Sequence, residues 1–335
     1  MSQPVRVAVV GAGHLGRHHA RLYAGLPQAE LVGIADVALD RAQRLAATYG
    51  VAAVADYHDL IEQVDAASIA VPTAGHFAVA RDFIDRGRAV LIEKPFTRTL
   101  PEADELLSLA ERRGATIQVG HVERFNPALI AAKGYLQDPL YVECDRISPF
   151  TFRSMDIGVV LDLMIHDLDI LLELIPSAIT AIEAVGVPAL SRHEDIANAR
   201  LTFASGCVAN LTASRVATRA VRKLRIIQRD SYLSINYGER RALLFRKRPD
   251  APDPATIDPA TIPDAKAFVY EKLIAVEEIP LSIHDALEQE LIAFLHCVAT
   301  GARPACSGAD ARRALELAWR ILDSIRANRE RHTPP

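Results

Sequence analysis

Cysteine is scarce in this sequence: Cys144, Cys207, Cys297 and Cys306 stand far apart, with no Cys-x-x-Cys pair. That spacing argues against a disulfide framework and against a metal centre, and it fits a reducing compartment. An excess of positive charge is missing as well. The net charge of −4 is not that of a nucleic-acid binder, so no nucleic-acid partner is expected. No apolar run reaches the roughly 18 residues needed to cross a bilayer, and no membrane partner is expected. The opening MSQPVRVAVVGAG lacks the charged stretch, separate apolar segment and cleavage site of a secretory leader. What is present is ordinary for a globular protein: 335 residues, 50% hydrophobic and 24% charged. The length predicts two domains, and the expectation is a cytoplasmic α/β protein.

The first 120 residues carry a readable rhythm. VRVAVV (5–10) is a continuous β-branched run, as in a strand buried on both faces of a parallel sheet. It runs into GAGHLG, where Gly11, Gly13 and Gly16 complete a G-x-G-x-x-G pattern around His14 and Leu15. These glycines allow a tight turn, a close approach to a pyrophosphate, and helix-on-strand packing. The helix that follows offers its free N–H groups to the phosphates. Alone the motif is weak; its setting between strand and helix strengthens it. The next strand, AELVGIAD, ends in Asp36, 20 residues past Gly16. An acid there accepts hydrogen bonds from the adenosine ribose and repels a 2′-phosphate, which favours NAD over NADP; the plainer alternative is a helix cap. Alternating strands and helices continue to TIQVG (116–120), predicting a doubly wound parallel sheet with ligands at the strands' carboxyl ends.

Two strand ends carry unusual residues. AVPTAGH places Pro72, Thr73 and His76 at the edge expected to face a nicotinamide, and AVLIEKPF places Glu93, Lys94 and Pro95 at the next. The proline biases Lys94 to an extended backbone. A lysine there suits hydrogen bonding to a substrate hydroxyl, although a surface lysine fits the position equally well.

After His121 the pattern changes to period-2 segments joined by short turns, from LYVECDRIS through ALLFRK, which predicts an antiparallel sheet with one covered face. The stretch 246–268, rich in proline and aspartate, reads as an exposed loop. Two helical stretches close the chain. After LYVECDRIS and the loop PFTFRSMDIG lies VVLDLMIHDLDILLEL (159–174), an apolar helix pattern that carries Asp162, His166, Asp167 and Asp169. Residues four apart share a face, so Asp162 and His166 project together. An imidazole held by a carboxylate suits general acid–base work. Asp167 is assigned to solvent or to a basic partner, and Asp169 is left as a second partner for His166 or a surface acid. By itself the pair reads more plainly as structural; Glu93-Lys94-Pro95 and the dinucleotide motif in the same chain reverse that.

GAGHLG, Asp36, VPTAGH, EKP and GVVLDLMIHDLD together resemble the Gfo/Idh/MocA family of NAD(P)-dependent sugar and cyclitol oxidoreductases. The resemblance implies a Rossmann domain (1–121) with cofactor contacts from Gly11, Gly13, His14, Leu15, Gly16, Asp36, Pro72, Thr73, His76, Glu93 and Lys94. It implies a second α/β domain (122–335) with an open, mainly antiparallel sheet for substrate binding and oligomerisation, its C-terminal helix able to pack back on the first. It makes Lys94, Asp162 and His166 the catalytic residues and a homodimer or homotetramer the assembly. GHVERFNPALIAAK (120–133) is most similar to the bacterial UDP-N-acetylglucosamine 3-dehydrogenases, which supply a 3-keto sugar to an aminotransferase for lipid A. A UDP-sugar needs cations for its diphosphate, and Arg153, Arg215 and Arg219 are the candidates; Arg124 and Asn126 are further substrate-side candidates, Asn126 alternatively an N-cap before Pro127. The residues leave open a dehydrogenase of a free sugar, an inositol or a UDP-sugar uronic acid, and a non-catalytic dinucleotide sensor.

Overall fold

The structure is a computed structural model that describes residues 3–151 and 156–332. Its first part alternates strands and helices in the order β1 (Val5–Val10), α1 (His14–Gly25), β2 (Ala29–Ala35), α2 (Leu39–Tyr49), β3 (Ala52–Val54), α3 (His58–Ile61), β4 (Ala66–Ile69), α4 (Thr73–Asp85), β5 (Ala89–Glu93), α5 (Leu100–Arg113) and β6 (Ile117–Gly120). The strands are parallel and ordered β3-β2-β1-β4-β5-β6. The strand order reverses direction beside β1, which puts a crevice at the carboxyl ends of β1 and β4. The apolar runs of β1, β4 and β5 are buried because helices cover a parallel sheet on both faces. Helix α5 begins at a capping box, in which Thr99 and Glu102 satisfy each other's backbone N–H groups.

The middle of the chain forms α6 (Pro127–Lys133), β7 (Tyr141–Ile147), a π-helical turn (Val160–Met164) leading directly into α7 (Ile165–Leu174), and then strands β8 (Ile179–Val187), β9 (Ile196–Phe203), β10 (Val208–Ser214), β11 (Val221–Ile227), β12 (Ser231–Asn236) and β13 (Arg241–Lys247). A short α8 (Ala265–Phe268) precedes β14 (Ile274–Glu278). The eight strands order as β14-β13-β12-β11-β7-β10-β9-β8, antiparallel throughout except for the pair β7–β10. Strand β7 alternates strictly, with Val142, Cys144 and Arg146 buried and Tyr141, Glu143 and Asp145 half-buried. The loop 248–264 holds a five-residue tandem, DPATI-DPATI, that its composition alone does not reveal. In each copy the aspartate (Asp253, Asp258) caps the alanine N–H two residues on and the threonine hydroxyl returns a bond to that aspartate's carbonyl.

Two helices end the chain, α9 (Ala286–Thr300) and α10 (Gly308–His332). The contacts divide the molecule into one unit of residues 1–125 with 284–319 and a second of 126–283 with 320–335. A single cut at 121/122 therefore does not describe the division: the chain returns to the first unit, and α10 is shared. Leu291, Phe294 and Leu295 of α9 complete the apolar core built by β1, α1 and β2. All four cysteines are buried, and no disulfide joins them. No helix among the described residues is long and apolar enough to cross a membrane.

Candidate active site and cofactor site

The glycines of GAGHLG are required by space. Gly11 has φ +103°, and a Cβ there would stand 2.6 Å from the carbonyl oxygen of Ala70. A Cβ on Gly16 would meet the Gly11 carbonyl at 1.7 Å, so α1 rides against the turn only without a side chain. Above Gly13 the space is open, which leaves room for the pyrophosphate that the N–H groups of α1 would hold. Asp36 sits at the end of β2. Its Oδ2 accepts from Ala12 N–H at 2.9 Å and its Oδ1 from Ala38 N–H at 2.9 Å, which ties the acid to the glycine turn. Arg41 approaches Oδ1 at 3.6 Å. A cavity of about 510 Å³ opens beside this acid, lined by Gly13, His14, Arg17, Arg41, Arg44 and Thr48 among others. Sequence reasoning missed these arginines; the signal for Arg41 and Arg44 was the basic spacing along α2, just past Asp36, and Arg17 stands one residue after the glycine motif. Glycine turn, open space, anchored acid and cavity together fit a dinucleotide.

The strand ends differ in part from expectation. Pro72 is exposed and Thr73 opens α4, whereas His76 is only 1% exposed. Its Nδ1 lies 2.9 Å from the Pro95 carbonyl and its Nε2 3.0 Å from the Val71 carbonyl. A neutral ring carries one N–H and donates to one of these two carbonyls, so His76 is packed between the ends of β4 and β5. Burial pushes its imidazole below its ordinary value. Glu93 likewise faces inward, with Oε1 3.0 Å from Nε2 of His19. His19 Nδ1 in turn lies 2.6 Å from Ser68 Oγ. The carboxylate requires a donor, so Nε2 carries the proton and Ser68 donates to Nδ1. Burial alone would raise the Glu93 carboxyl, but the His19 bond and neighbouring positive charge hold it below its usual range. Lys94 is half-buried at the start of the turn that these contacts fix, joined to Pro95 by a cis peptide.

In the second unit the acids of the 159–174 helix occupy different surroundings. Asp162, Leu163 and His166 are half-exposed between buried neighbours, with Asp162 and His166 four residues apart. The π-helical turn over Val160–Met164 widens the backbone where Asp162 stands, a device frequent at functional sites. Asp167 is not solvated: it is 3% exposed and takes Nε and Nη2 of Arg146 at 2.8 Å each. Arg146 also stacks over the Tyr237 ring at 5.5 Å. Asp169 is 1% exposed, which removes the surface-acid reading.

The cation candidates separate as well. Arg219 is exposed on the turn between β10 and β11, and Arg153 lies outside the described residues. Arg215 is 5% exposed and directs its guanidinium to Asp195, Ser191 and the Ile157 carbonyl, so it is not a free diphosphate ligand. Arg124 is 8% exposed and donates to the Ala305 carbonyl at 2.8 Å. Asn126 takes the capping alternative, its side chain accepting from Ala128 N–H at 3.1 Å before Pro127.

Comparison with known proteins identifies the family. Residues 5–121 match the oxidoreductase family with NAD-binding Rossmann fold, Gfo/Idh/MocA, and residues 132–231 match a Gfo/Idh/MocA C-terminal domain. The chain is 36% identical to a UDP-N-acetylglucosamine 3-dehydrogenase of Acidithiobacillus ferrooxidans, covering 96% of this chain and 98% of that one. The solved structure of that organism's enzyme, GnnA, superposes with a TM-score of 0.85 over 97% of this chain and 99% of that chain. A scyllo-inositol 2-dehydrogenase (NAD(+)) of Bacillus subtilis is 28% identical over 97% of this chain and 95% of its own length. The chain belongs to the Gfo/Idh/MocA oxidoreductases and is an NAD-binding enzyme of that family.

Proposed function

We propose that this enzyme oxidises the 3-hydroxyl of a UDP-N-acetylhexosamine, UDP-N-acetylglucosamine, to the 3-keto sugar. The observation that carries the reading is the 36% identity, over nearly the full length of both chains, to a UDP-N-acetylglucosamine 3-dehydrogenase. Gly11, Gly13, Gly16 and Asp36 hold the dinucleotide, and bound NAD supplies the hydride acceptor. His166 withdraws the hydroxyl proton, and Asp162 orients the imidazole or binds a neighbouring hydroxyl. Lys94 donates a hydrogen bond to the reacting oxygen and stabilises the negative charge that develops there. Arg219 and Arg153 remain the candidates for the diphosphate. The product would pass to an aminotransferase in the making of lipid A, within the cytoplasm, and the enzyme would work as a homodimer or homotetramer.

A panel of UDP-sugars and free inositols incubated with enzyme and NAD, with NADH followed by absorbance, tests the substrate. Turnover of UDP-N-acetylglucosamine above all others is expected. Silence on every UDP-sugar with turnover of an inositol would overturn the reading in favour of the inositol dehydrogenases to which the chain is also similar. Light scattering measures the assembly.

A further inference from the structure

The short segment that leads into the Asp162–His166 helix is gripped by side chains that see almost no solvent. Arg215 and Asp195 are 5% and 0% exposed. The arginine donates from Nε to Asp195 Oδ1 at 2.7 Å, from Nη2 to Ser191 Oγ at 2.8 Å and from Nη1 to the Ile157 carbonyl at 3.1 Å. Asp195 is itself immobilised, its Oδ2 accepting from the N–H groups of Ala189, Leu190 and Ser191. One residue earlier, Glu194 reaches the helix start directly. Its carbonyl accepts from Val159 N–H at 2.9 Å, and its Oε1 accepts from Val160 N–H at 3.3 Å. Gly158 makes room for this, since a Cβ there would lie 1.9 to 2.4 Å from the Glu194 carboxylate atoms.

An ion pair so deeply buried is a poor way to add stability, because the loss of hydration offsets the attraction. Its use is geometric. A planar guanidinium bonded in three directions fixes position and rotation together, and the carbonyl and carboxylate of one residue on two successive N–H groups set where the helix begins. The start matters here. Successive helical residues turn by roughly 100°, so a helix entered one residue late would swing both side chains off their face.

We propose that Glu194 and Arg215 are positioning residues that set the rotational start of the helix bearing Asp162 and His166. The proposal rests on reading His166 and Asp162 as the acid–base pair. It makes the β8–β9 connection, far from the helix in sequence, part of the apparatus that aims the base.

The test uses the full-length enzyme with NAD bound. The His166 imidazole is identified in a 15N-histidine NMR spectrum by its loss in His166→Asn, then followed in Glu194→Ala, Glu194→Gln and Gly158→Ala. Glu194→Ala and Gly158→Ala should displace or broaden the signal. Glu194→Gln, whose amide oxygen still accepts from Val160, should restore it. In turnover, counted per NAD-binding site so that unfolded protein is not scored, the first two should lose roughly ten- to hundredfold in kcat with the NAD affinity held, and Glu194→Gln should recover most of it. An unchanged His166 signal in Glu194→Ala and Gly158→Ala overturns the proposal, as does a kcat per site equal to wild type. Arg215→Lys, which keeps the charge and loses the fork, gives a second route should Glu194→Ala not fold; a wild-type signal and kcat there count equally against it. Full turnover by His166→Asn would overturn the acid–base reading while leaving the NMR outcome to stand or fall by itself.

Discussion

Glu93 is held by His19, Oε1 to Nε2 at 3.0 Å, with the imidazole wholly buried behind the glycine turn. The bond ties α1, whose N-terminus faces the pyrophosphate site, to the strand end that carries Lys94. Removing one partner strands the other in an apolar interior, so His19→Ala should lower stability by about 3 kcal/mol in urea unfolding at pH 7. The pH dependence has a definite sign. The folded Glu93 carboxyl lies below its ordinary 4.5, so its contribution is complete above that value and is lost as pH falls through the depressed one. Glu93→Gln should remove that part of the acid sensitivity, read from unfolding midpoints between neutral and acid pH.

Replacing the two proposed reacting-oxygen partners one at a time separates their roles. Lys94→Ala should lower kcat by about a hundredfold or more, because it removes a donor to the developing charge. His166→Asn should cost on the order of 10²- to 10⁴-fold through loss of the base. Neither should weaken NAD binding comparably, as measured by titration calorimetry. Near wild-type turnover in both would sink the mechanism.

Asp36 gives a cofactor prediction. Its two oxygens are fixed by Ala12 and Ala38 N–H, so the acid meets an incoming ribose without reorganising. Asp36→Ala should raise KM for NAD by about tenfold, the worth of one or two hydrogen bonds. It should also narrow the preference over NADP, since Arg41 and Arg44 would then face a 2′-phosphate with no acid between. The ratio of kcat/KM for the two cofactors is the readout.

Asp167 tests the revised view of the helix. A solvated acid would tolerate replacement within about 0.5 kcal/mol, whereas one leaving Arg146 buried and uncompensated should cost about 3–5 kcal/mol. Asp167→Ala measured by urea denaturation, with kcat per NAD-binding site as the control, decides between them; the latter should change far less than in His166→Asn.

What could be read from the sequence followed the range of the interaction. Gly11, Gly13, Gly16 and Asp36 act within one βαβ unit, and Asp162 and His166 stand four apart in one helical run, so local rules reach both. For Asp167 the spacing leaves solvent or a basic partner open, because the partner, Arg146, sits on β7, on another element. The types of His76 and Arg215 invite a reading as contacts for bound molecules, yet His76 lies between the Val71 and Pro95 carbonyls and the β8–β9 connection holds Arg215. The three residues of β3 are too few to carry a period. Nothing near the N-terminus announces that α9 belongs to its core.

In this protein the order of synthesis runs against the order of packing. The strands and helices that hold the nucleotide are synthesised first, but Leu291, Phe294 and Leu295, which close their core, emerge late in a chain of 335 residues. A ribosome therefore exposes the nucleotide-holding half with an open apolar flank through most of translation. The part that begins earliest is completed among the last, and an interrupted chain ending in the second sheet would leave that half unsealed.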